Sequence, residues 1–298
     1  MKEVITSESN KIVRLAKKLR DRRGRDSEGA FLAEGEHLLE EARKSGARIM
    51  YVLLRESGSV RLRERVSDWG CGQANGRDAH VPGEADEVQE ARTVVLADGL
   101  FDRLADTVTP QAVMTIVRKP CGNHRFGTED TAEVPTDGVA DRAALVVLDR
   151  LRDPGNVGGI IRSAEAAGFT GVIAEKGSVD IFSQKVVRAA SGALFRIPVR
   201  FVPDAAAALR ALKSRGIRTI ACSMAGERTY DEAPLAGDVA IIVGNEGGGL
   251  SAPFLTEADE RIRIPMREGS ESLNVLVAAS IVMFEKRRQE RKKREEPC

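Results

Sequence analysis

The sequence predicts an α/β protein made of a small N-terminal α/β domain and a larger C-terminal domain built on a parallel sheet. From Ala143 onward, strand-length apolar runs alternate with helical patterns, which is typical of parallel sheets covered by helices on both faces. Residues 120–141 are rich in Gly, Pro, Thr and acids and lack apolar periodicity, as linkers do. We therefore predict domains at residues 1–120 and 142–298, joined by a linker at 121–141. A long surface loop inside one domain is the alternative for that linker.

The N-terminal domain begins with a basic helix, predicted from Asn10 to Arg25 because apolar residues recur there at helical spacing. Gly24 and Gly29 end this pattern. The following apolar runs are short and alternate with helical patterns. They predict strands at residues 31–35, 49–54, 93–96 and 112–117, with helices at residues 36–45 and 100–105.

The C-terminal domain contains longer apolar runs, which predict strands at residues 145–148, 172–174, 219–221, 239–243 and 262–264. The patterns between them predict helices at residues 157–167, 183–191, 205–214 and 253–258. A final helix is predicted from about Ser272, and its charged far end, residues 286–294, is expected to project into solvent. Its apolar stripe is longer than a terminal helix needs, so we expect a homodimer built through this domain. The stripe consists of Leu273, Leu276, Val277, Ile281 and Phe284.

Composition excludes several classes of protein. With 298 residues and 42% hydrophobic content, the chain can bury a sizeable core. No apolar run approaches the roughly 18 residues of a membrane span, and the first residues lack the apolar region of a signal peptide, so we expect a cytoplasmic protein. None of the four cysteines belongs to a CxxC pair, and the three histidines are scattered. We therefore expect free thiols, no disulfide and no metal site.

The net charge is only +1, but its distribution is uneven. Residues 1–25 hold nine Lys or Arg against three acids, and residues 285–296 hold seven against four. Basic chain ends indicate a polyanionic partner, with solvated helical faces as the alternative. The cations of the first helix that we assign to binding this partner are Lys11, Arg14, Lys18, Arg22 and Arg23.

Three polar or glycine-rich segments each follow an apolar strand, at residues 153–164, 244–251 and 264–275. Open α/β sheets bind ligands at the carboxyl ends of their strands, so the three segments predict one shared site. The first segment lacks the G-x-G-x-x-G spacing of a dinucleotide loop, and no Walker lysine is present. A nicotinamide or nucleoside triphosphate enzyme is therefore disfavoured.

Together the segments resemble the three motifs of the SpoU-type, or TrmH-like, RNA 2′-O-ribose methyltransferases of the SPOUT superfamily. The resemblance rests on Asn156 with Arg162, on residues 244–251, and on Ile264-Pro265-Met266 followed by Ser272–Val275. It covers about residues 143–290. More weakly, residues 1–117 resemble the family's substrate-binding domain, itself similar to a small ribosomal RNA-binding protein. The resemblance implies a parallel sheet tied in a deep trefoil knot, S-adenosyl-L-methionine as cofactor, and a site that two subunits complete.

The resemblance also implies cofactor contacts. It assigns Gly244, Ile264 and Leu273 to the cofactor, with the strand end at Cys222–Met224 nearby and Met266, Leu250 and Asn274 in support. Such a ligand needs backbone donors and acceptors and apolar cover. Simple core packing is the alternative for Ile264 and Leu273.

For the reaction, Arg162 matches the family's catalytic arginine and Asn156 the residue that orients it. Because an arginine has a pKa above about 12, either an RNA phosphate helps to remove its proton or it stays cationic and grips that phosphate. Glu246 is expected to accept hydrogen bonds from loop amides or from Arg162. Ser272 and Asn274 are expected at the start of the last helix, as ligands or caps. Arg188 is expected to contact a phosphate, with a plain surface role as the alternative.

We therefore interpret the chain as a homodimeric RNA 2′-O-methyltransferase that acts on ribosomal RNA, most specifically 23S RNA, in a housekeeping or an antibiotic-resistance role. A transfer RNA methyltransferase is one alternative. Another is a non-catalytic RNA-binding or ribosome-assembly factor on the same fold, but such a protein is expected to have lost Asn156, Arg162 or Glu246, and all three are present.

Overall fold

The computed structural model describes residues 4–58, 91–107, 109–120 and 143–295. The predicted linker at 121–141 lies outside these residues, as do Cys71, Cys121 and Cys298, which were expected to be free thiols. The chain divides into two compact units. One is Met1–Lys119 with Phe182–Gln184, and the other is Pro120–Ile181 with Lys185–Cys298.

The first unit is a five-stranded mixed sheet with helices on it, in the strand order β1-β4-β3-β5-β2. β5 runs antiparallel to β2 and β3, whereas β4 is parallel to β1 and β3. Each predicted strand is present, together with the short β1. The elements are β1 (Val4–Ile5), α1 (Lys11–Lys18), α2 (Arg22–Glu28), β2 (Ala30–Glu34), α3 (Glu36–Lys44), β3 (Ile49–Arg55), β4 (Arg92–Leu96), α4 (Asp98–Asp102) and β5 (Val113–Arg118).

The predicted basic helix over Asn10–Arg25 is wrong, because the chain forms two helices there. Asp21 caps the second helix by accepting a hydrogen bond from the Gly24 N–H at 2.8 Å. The buried Arg25 guanidinium donates through Nη1 to the carbonyls of Leu19 and Arg20, each at 2.8 Å. These bonds satisfy carbonyls that the end of α1 leaves open. The break therefore depends on a charged side chain that periodicity alone treats as part of one solvated face.

The second unit is a seven-stranded sheet in the order β10-β12-β9-β11-β6-β7-β8, and every neighbouring pair is parallel. This confirms the predicted parallel sheet. The two strands that lie at its borders were missed: β10 has only two residues, and Arg200 interrupts the apolar run of β8. The strands are β6 (Ala144–Asp149), β7 (Gly171–Glu175), β8 (Val199–Val202), β9 (Arg218–Cys222), β10 (Arg228–Thr229), β11 (Val239–Gly244) and β12 (Glu260–Arg263).

Helices cover this sheet and bury its central strands, whose residues are almost all inaccessible. Local residues set both ends of the helix after β6. Asp153 caps its start, Pro154 occupies the first turn, and Gly168 ends it at φ 81°. The helices are α5 (Pro154–Ala167), α6 (Gln184–Ala190), α7 (Ala205–Lys213), α8 (Ala252–Glu257) and α9 (Val275–Glu295).

The last helix, α9, packs against α5 and β11. It begins at Val275 rather than at Ser272. Its charged end does not simply project into solvent: Lys286 is buried and pairs with Glu290, and the Gln289 amide donates to the Ala233 carbonyl and accepts from the Leu235 N–H. Within the described ranges, no helix is both long and apolar enough to cross a membrane.

Candidate active site

The carboxyl edge of the parallel sheet brings the three polar segments together. In the register of the sheet, Ile262 lies beside Cys222, and Gly244 lies beside Asp149. The ends of β12, β9, β11 and β6 therefore follow one another along this edge. The segments that leave β6, β11 and β12 are the ones that the sequence singled out.

A chain of hydrogen bonds links one residue from each segment. The Asn156 Nδ2 donates to the Glu246 Oε1 at 2.6 Å, and the Asn274 Nδ2 donates to the Asn156 Oδ1 at 3.1 Å. The Asn274 Oδ1 also accepts from the Leu276 N–H at 2.9 Å, so the same residue caps α9. Both ends of the Asn156 amide are thus occupied, and its orientation is set by the two partner segments.

The glycine-rich segment folds back on itself. The backbones of Asn245 and Gly249 exchange two hydrogen bonds, at 3.1 and 2.8 Å. A Cβ added to Gly244 would lie 2.5 Å from the Gly249 carbonyl carbon, so this close approach requires glycine. The Asn245 Nδ2 donates to the Arg150 carbonyl at 2.9 Å, which ties the loop to the end of β6. Leu250, assigned to the cofactor pocket, has a buried side chain that packs in the core.

The ends of β9 and β12 offer apolar surface for a flat ligand. Met224 is 64% exposed and Leu273 is 39% exposed, whereas Ile264 and Met266 are half-buried. Burial raises the pKa of the Cys222 thiol to about 12, so it stays protonated and contributes apolar bulk rather than charge. Exposed apolar side chains beside a backbone-lined glycine loop fit the needs of S-adenosylmethionine, namely apolar cover plus backbone donors and acceptors.

Arg162 lies on α5, is exposed, and takes part in no hydrogen bond or ion pair within the described part of the chain. No bond joins it to Asn156 there. The neighbouring Ser163 Oγ lies 2.9 Å from the Ser280 Oγ, and a Cβ on Gly159 would meet the Leu276 side chain at 2.5 Å. Arg162 therefore borders the contact between α5 and α9, with its guanidinium available to an external anion.

The other expected site residues differ in position. Ser272 is exposed and precedes α9, whose cap is Asn274, so the capping role considered for Ser272 is wrong. Arg188 is exposed on α6. In the first unit, Lys18 pairs with Glu28 and Arg22 lies 3.8 Å from Asp26. Lys11, Arg14 and Arg23 are exposed without a partner among the residues described.

Two acids at this edge were not predicted from the sequence as site residues. Asp149 ends β6 and is fully buried, and Glu175 ends β7 and is 7% exposed. Burial, and then the adjoining Asp149, raise the pKa of Glu175 to about 7. The available signal was an acid closing each of two buried apolar strands, Leu-Asp in β6 and Ala-Glu in β7. No group of residues suited to hold a metal ion occurs in the described ranges.

Comparison with known proteins gives a consistent assignment. The model of the SpoU rRNA methylase family matches residues 143–284, and that of the MRM3-like substrate-binding domain matches residues 10–115. The chain is 30% identical to the 23S rRNA (guanosine(2553)-2′-O)-methyltransferase RlmP of Bacillus subtilis, over 94% of this chain and 97% of that protein. The chain belongs to the SpoU methylase family.

Solved structures agree with this membership along nearly the whole chain. An AdoMet-bound rRNA methyltransferase from Sinorhizobium meliloti aligns with a TM-score of 0.75 at 27% identity, over 96% of this chain and 97% of that one. An RNA 2′-O ribose methyltransferase aligns with a TM-score of 0.72 at 28% identity, over 96% and 99%.

Proposed function

We propose that this chain methylates a ribose 2′-hydroxyl of ribosomal RNA, with 23S RNA as the substrate. The observation that carries the proposal is the hydrogen-bonded link between Asn156, Glu246 and Asn274, which joins the three segments at the start of the helix that carries the exposed Arg162. As a member of the SpoU family, the chain is an RNA 2′-O-methyltransferase, and S-adenosylmethionine is its methyl donor.

The donor supplies an electrophilic methyl group when it is bound. The loop around Gly244 and the ends of β9 and β12 are the surfaces that would hold it. We assign to this role Gly244, Leu250, Cys222, Ile264, Met266 and Leu273, of which Leu250 is available through its backbone because its side chain is buried. The exposed apolar side chains of Leu273 and Met224 would exclude water from the bound group.

The ribose hydroxyl must lose a proton, and Arg162 is our candidate to assist. Its guanidinium has no partner in the described part of the chain, so it is free to bind an RNA phosphate bidentately and to stabilise charge that develops on the hydroxyl oxygen. We propose that Asn156 and Glu246 keep the site in shape, because the Asn156 amide already donates to the Glu246 carboxylate. Ser272 remains exposed before α9 and is free to contact RNA.

We also propose a dimer through the exposed face of α9. Val277 is 45% exposed, Phe284 is 48% exposed and Leu273 is 39% exposed, although all three are large and apolar. Val277 and Phe284 lie seven residues apart on one face of α9, and Leu273 lies just before the helix. Exposed apolar surface of this kind marks interaction sites. Arg162, which borders the α5–α9 contact, would then lie at the edge of that interface. The deep trefoil knot that the family resemblance implies remains part of this proposal.

Ribosomal RNA is favoured over transfer RNA by the first unit. This unit matches a substrate-binding domain, and the chain aligns over nearly both full lengths with RlmP, whose name gives 23S rRNA as its substrate. Both findings support 23S RNA as the substrate of this chain. Lys11, Arg14 and Arg23 are our first candidates for phosphate contacts, because Lys18 and Arg22 are already near acids. Arg188 is a further candidate in the second unit.

The test compares Arg162→Ala with Arg210→Ala, which removes an exposed arginine from α7. Losing a contact made mainly in the transition state typically lowers the rate about 10²–10³-fold, so R162A should methylate ribosomal RNA that much more slowly while its Kd for S-adenosylmethionine changes little. R162K should restore little, because an ammonium cannot reproduce the planar fork of a guanidinium. A tritiated-methyl assay and titration calorimetry measure both. An R162A rate within a few-fold of R210A would remove Arg162 from the mechanism.

A further inference from the structure

Two carboxyl groups lie side by side in the interior, at the carboxyl edge of the parallel sheet. Asp149 and Glu175 close the neighbouring strands β6 and β7, and the register pairs the residues just before them, Leu148 and Ala174. Both side chains are buried, and Asp149 acts on Glu175 to raise its pKa. Two adjoining buried carboxyl groups cannot both ionise without a large penalty, so the pair shares a proton.

The surrounding donors decide which acid keeps that proton. The Asp149 Oδ1 accepts from the Arg150 Nε at 2.9 Å, and its Oδ2 accepts from the Ser251 N–H. Glu175 has no such donors: its Oε2 is buried without a hydrogen-bond partner within the described part of the chain. Asp149 therefore takes the available donors, and Glu175, whose pKa is raised, can donate to it when protonated.

Asp149 and Arg150 form hydrogen bonds with the two ends of the glycine-rich loop. Asp149 holds the Ser251 N–H, where the loop ends, and the Arg150 carbonyl holds the Asn245 side chain, where the loop begins. To present that carbonyl, Arg150 adopts φ 53°, in the left-handed region that few residues other than glycine enter. Between the two anchors lies Glu246, which accepts from Asn156.

We propose that Asp149 and protonated Glu175 act together as positioning residues, holding the 245–251 loop so that Glu246 meets Asn156. This inference rests on the proposed function for its kinetic consequence, but the loop anchoring itself does not. When Glu175 loses its proton, its charge repels Asp149 and the donated hydrogen bond is lost. The charged groups that face Glu175 are Asp149 and Asp204, which favour its protonated form, and Arg150, which opposes it. The loop should therefore loosen as the pH rises through about 7.

Glu175→Gln tests the idea directly, because a glutamine amide keeps donating to Asp149 at every pH. The informative quantity is the ratio of kcat/KM for E175Q to that of the parent, since the intrinsic pH dependence of methyl transfer cancels. We expect a ratio near one at pH 6 that rises as the pH passes 7. Glu175→Ala should lower kcat/KM about 10- to 100-fold, the scale of a small misplacement of reacting groups. A ratio that stays constant from pH 6 to 8.5 would overturn the proposal.

Asp204→Asn is the matched control, because asparagine caps α7 as well as aspartate does while one of the charges facing Glu175 disappears. It should move the midpoint of the pH effect downward and leave the rate at pH 6 unchanged. Equal loss of rate in D204N and E175A would contradict a specific role for the Asp149–Glu175 contact.

Hydrogen exchange at residues 244–251 provides a readout without any substrate. Exchange in the parent protein should speed up above pH 7 relative to E175Q after correction for intrinsic rates, and E175A should exchange fast throughout. If the parent failed to methylate ribosomal RNA, this measurement would still decide whether the carboxyl pair holds the loop. Identical exchange in the parent, E175Q and E175A would refute the anchoring.

Discussion

The two edges of the parallel sheet differ in how their acidic side chains are hydrogen-bonded. At the amino edge, the Asp259 Oδ2 accepts from the Thr219 N–H at 2.8 Å and from its hydroxyl at 2.7 Å, while the same hydroxyl accepts from the Asp259 N–H. Burial opposes ionisation of Asp259, but the hydrogen bonds from Thr219 outweigh it and lower its pKa. Asp238 likewise accepts from the Ala143 N–H, at 2.6 Å.

At the carboxyl edge, one acid faces another, and the Glu175 Oε2 has no hydrogen-bond partner among the residues described. The polar contacts there also join segments distant in sequence and leave side chains such as Glu246 and Arg162 exposed. The difference indicates that the amino edge stabilises the fold, whereas the carboxyl edge holds unfavourable interactions that the rest of the fold compensates. Such interactions concentrate at functional sites.

The largest effect should follow from Glu246→Ala at the carboxyl edge. Asn156 would lose its acceptor and the link between the segments would break, so methyl transfer should fall about 10²–10³-fold with little change in stability. Glu257→Ala, which removes an exposed acid from the end of α8, is the control and should keep the parent rate. Single-turnover methylation of ribosomal RNA measures both. Similar rates for the two variants would mean that the carboxyl edge is no more functional than its surroundings.

A steric test of the same edge compares Gly244→Ala with Gly248→Ala. A Cβ at residue 244 would lie 2.5 Å from the backbone of Gly249, whereas one at residue 248 meets nothing within 4 Å. Forced overlap with backbone costs about 1–3 kcal/mol, so G244A should bind S-adenosylmethionine about tenfold more weakly, and G248A nearly as well as the parent. Titration calorimetry gives both affinities. Tight binding by G244A would show that the loop has room to adjust.

A third test concerns stability against pH at the carboxyl edge. Because the folded-state pKa of Glu175 is raised from 4.5 to about 7, its contribution to stability is fully present below pH 4.5 and is lost as the pH rises through about 7. The Tm of the parent protein should therefore fall relative to that of E175Q over this range, by a few degrees. Thermal melts from pH 5 to 8.5 measure the difference. Parallel curves for the two proteins would argue against a protonated Glu175.

The smallest effect should come from the amino edge. There the contribution to stability should be lost as the pH falls, whereas that of Glu175 is lost as the pH rises. Asp259→Ala removes two accepted hydrogen bonds from a half-exposed acid, so we expect a loss of about 1 kcal/mol in the free energy of unfolding and an unchanged rate per folded molecule. The Asp259 contribution is present above about pH 4 and is lost as the pH falls through its lowered folded-state pKa. Urea unfolding at pH 7 and in acid, for D259A and the parent, tests it. A loss of methyl transfer in folded D259A would erase the distinction between the two edges.

Local patterns in the sequence were sufficient for much of the fold and for the location of the site. Periodicity predicted the central strands β6, β7, β9, β11 and β12, because continuous apolar runs can be buried on both faces of a sheet. The three segments after β6, β11 and β12 predicted one site, because the carboxyl ends of parallel strands share an edge. Of the two border strands, β10 has only two residues, and in β8 an arginine interrupts the apolar run.

Contacts between distant residues were decided only by the tertiary structure. Asn156 and Asn274 are separated by 118 positions, and no local pattern says that one donates to the other. The same holds for the carboxyl pair of Asp149 and Glu175, for the end of α1 that Arg25 caps, and for the burial of Lys286. Local periodicity reports which face of an element is apolar. A hydrogen-bond partner or a shifted pKa depends on which atoms of other elements approach that face, and the packed chain alone determines this.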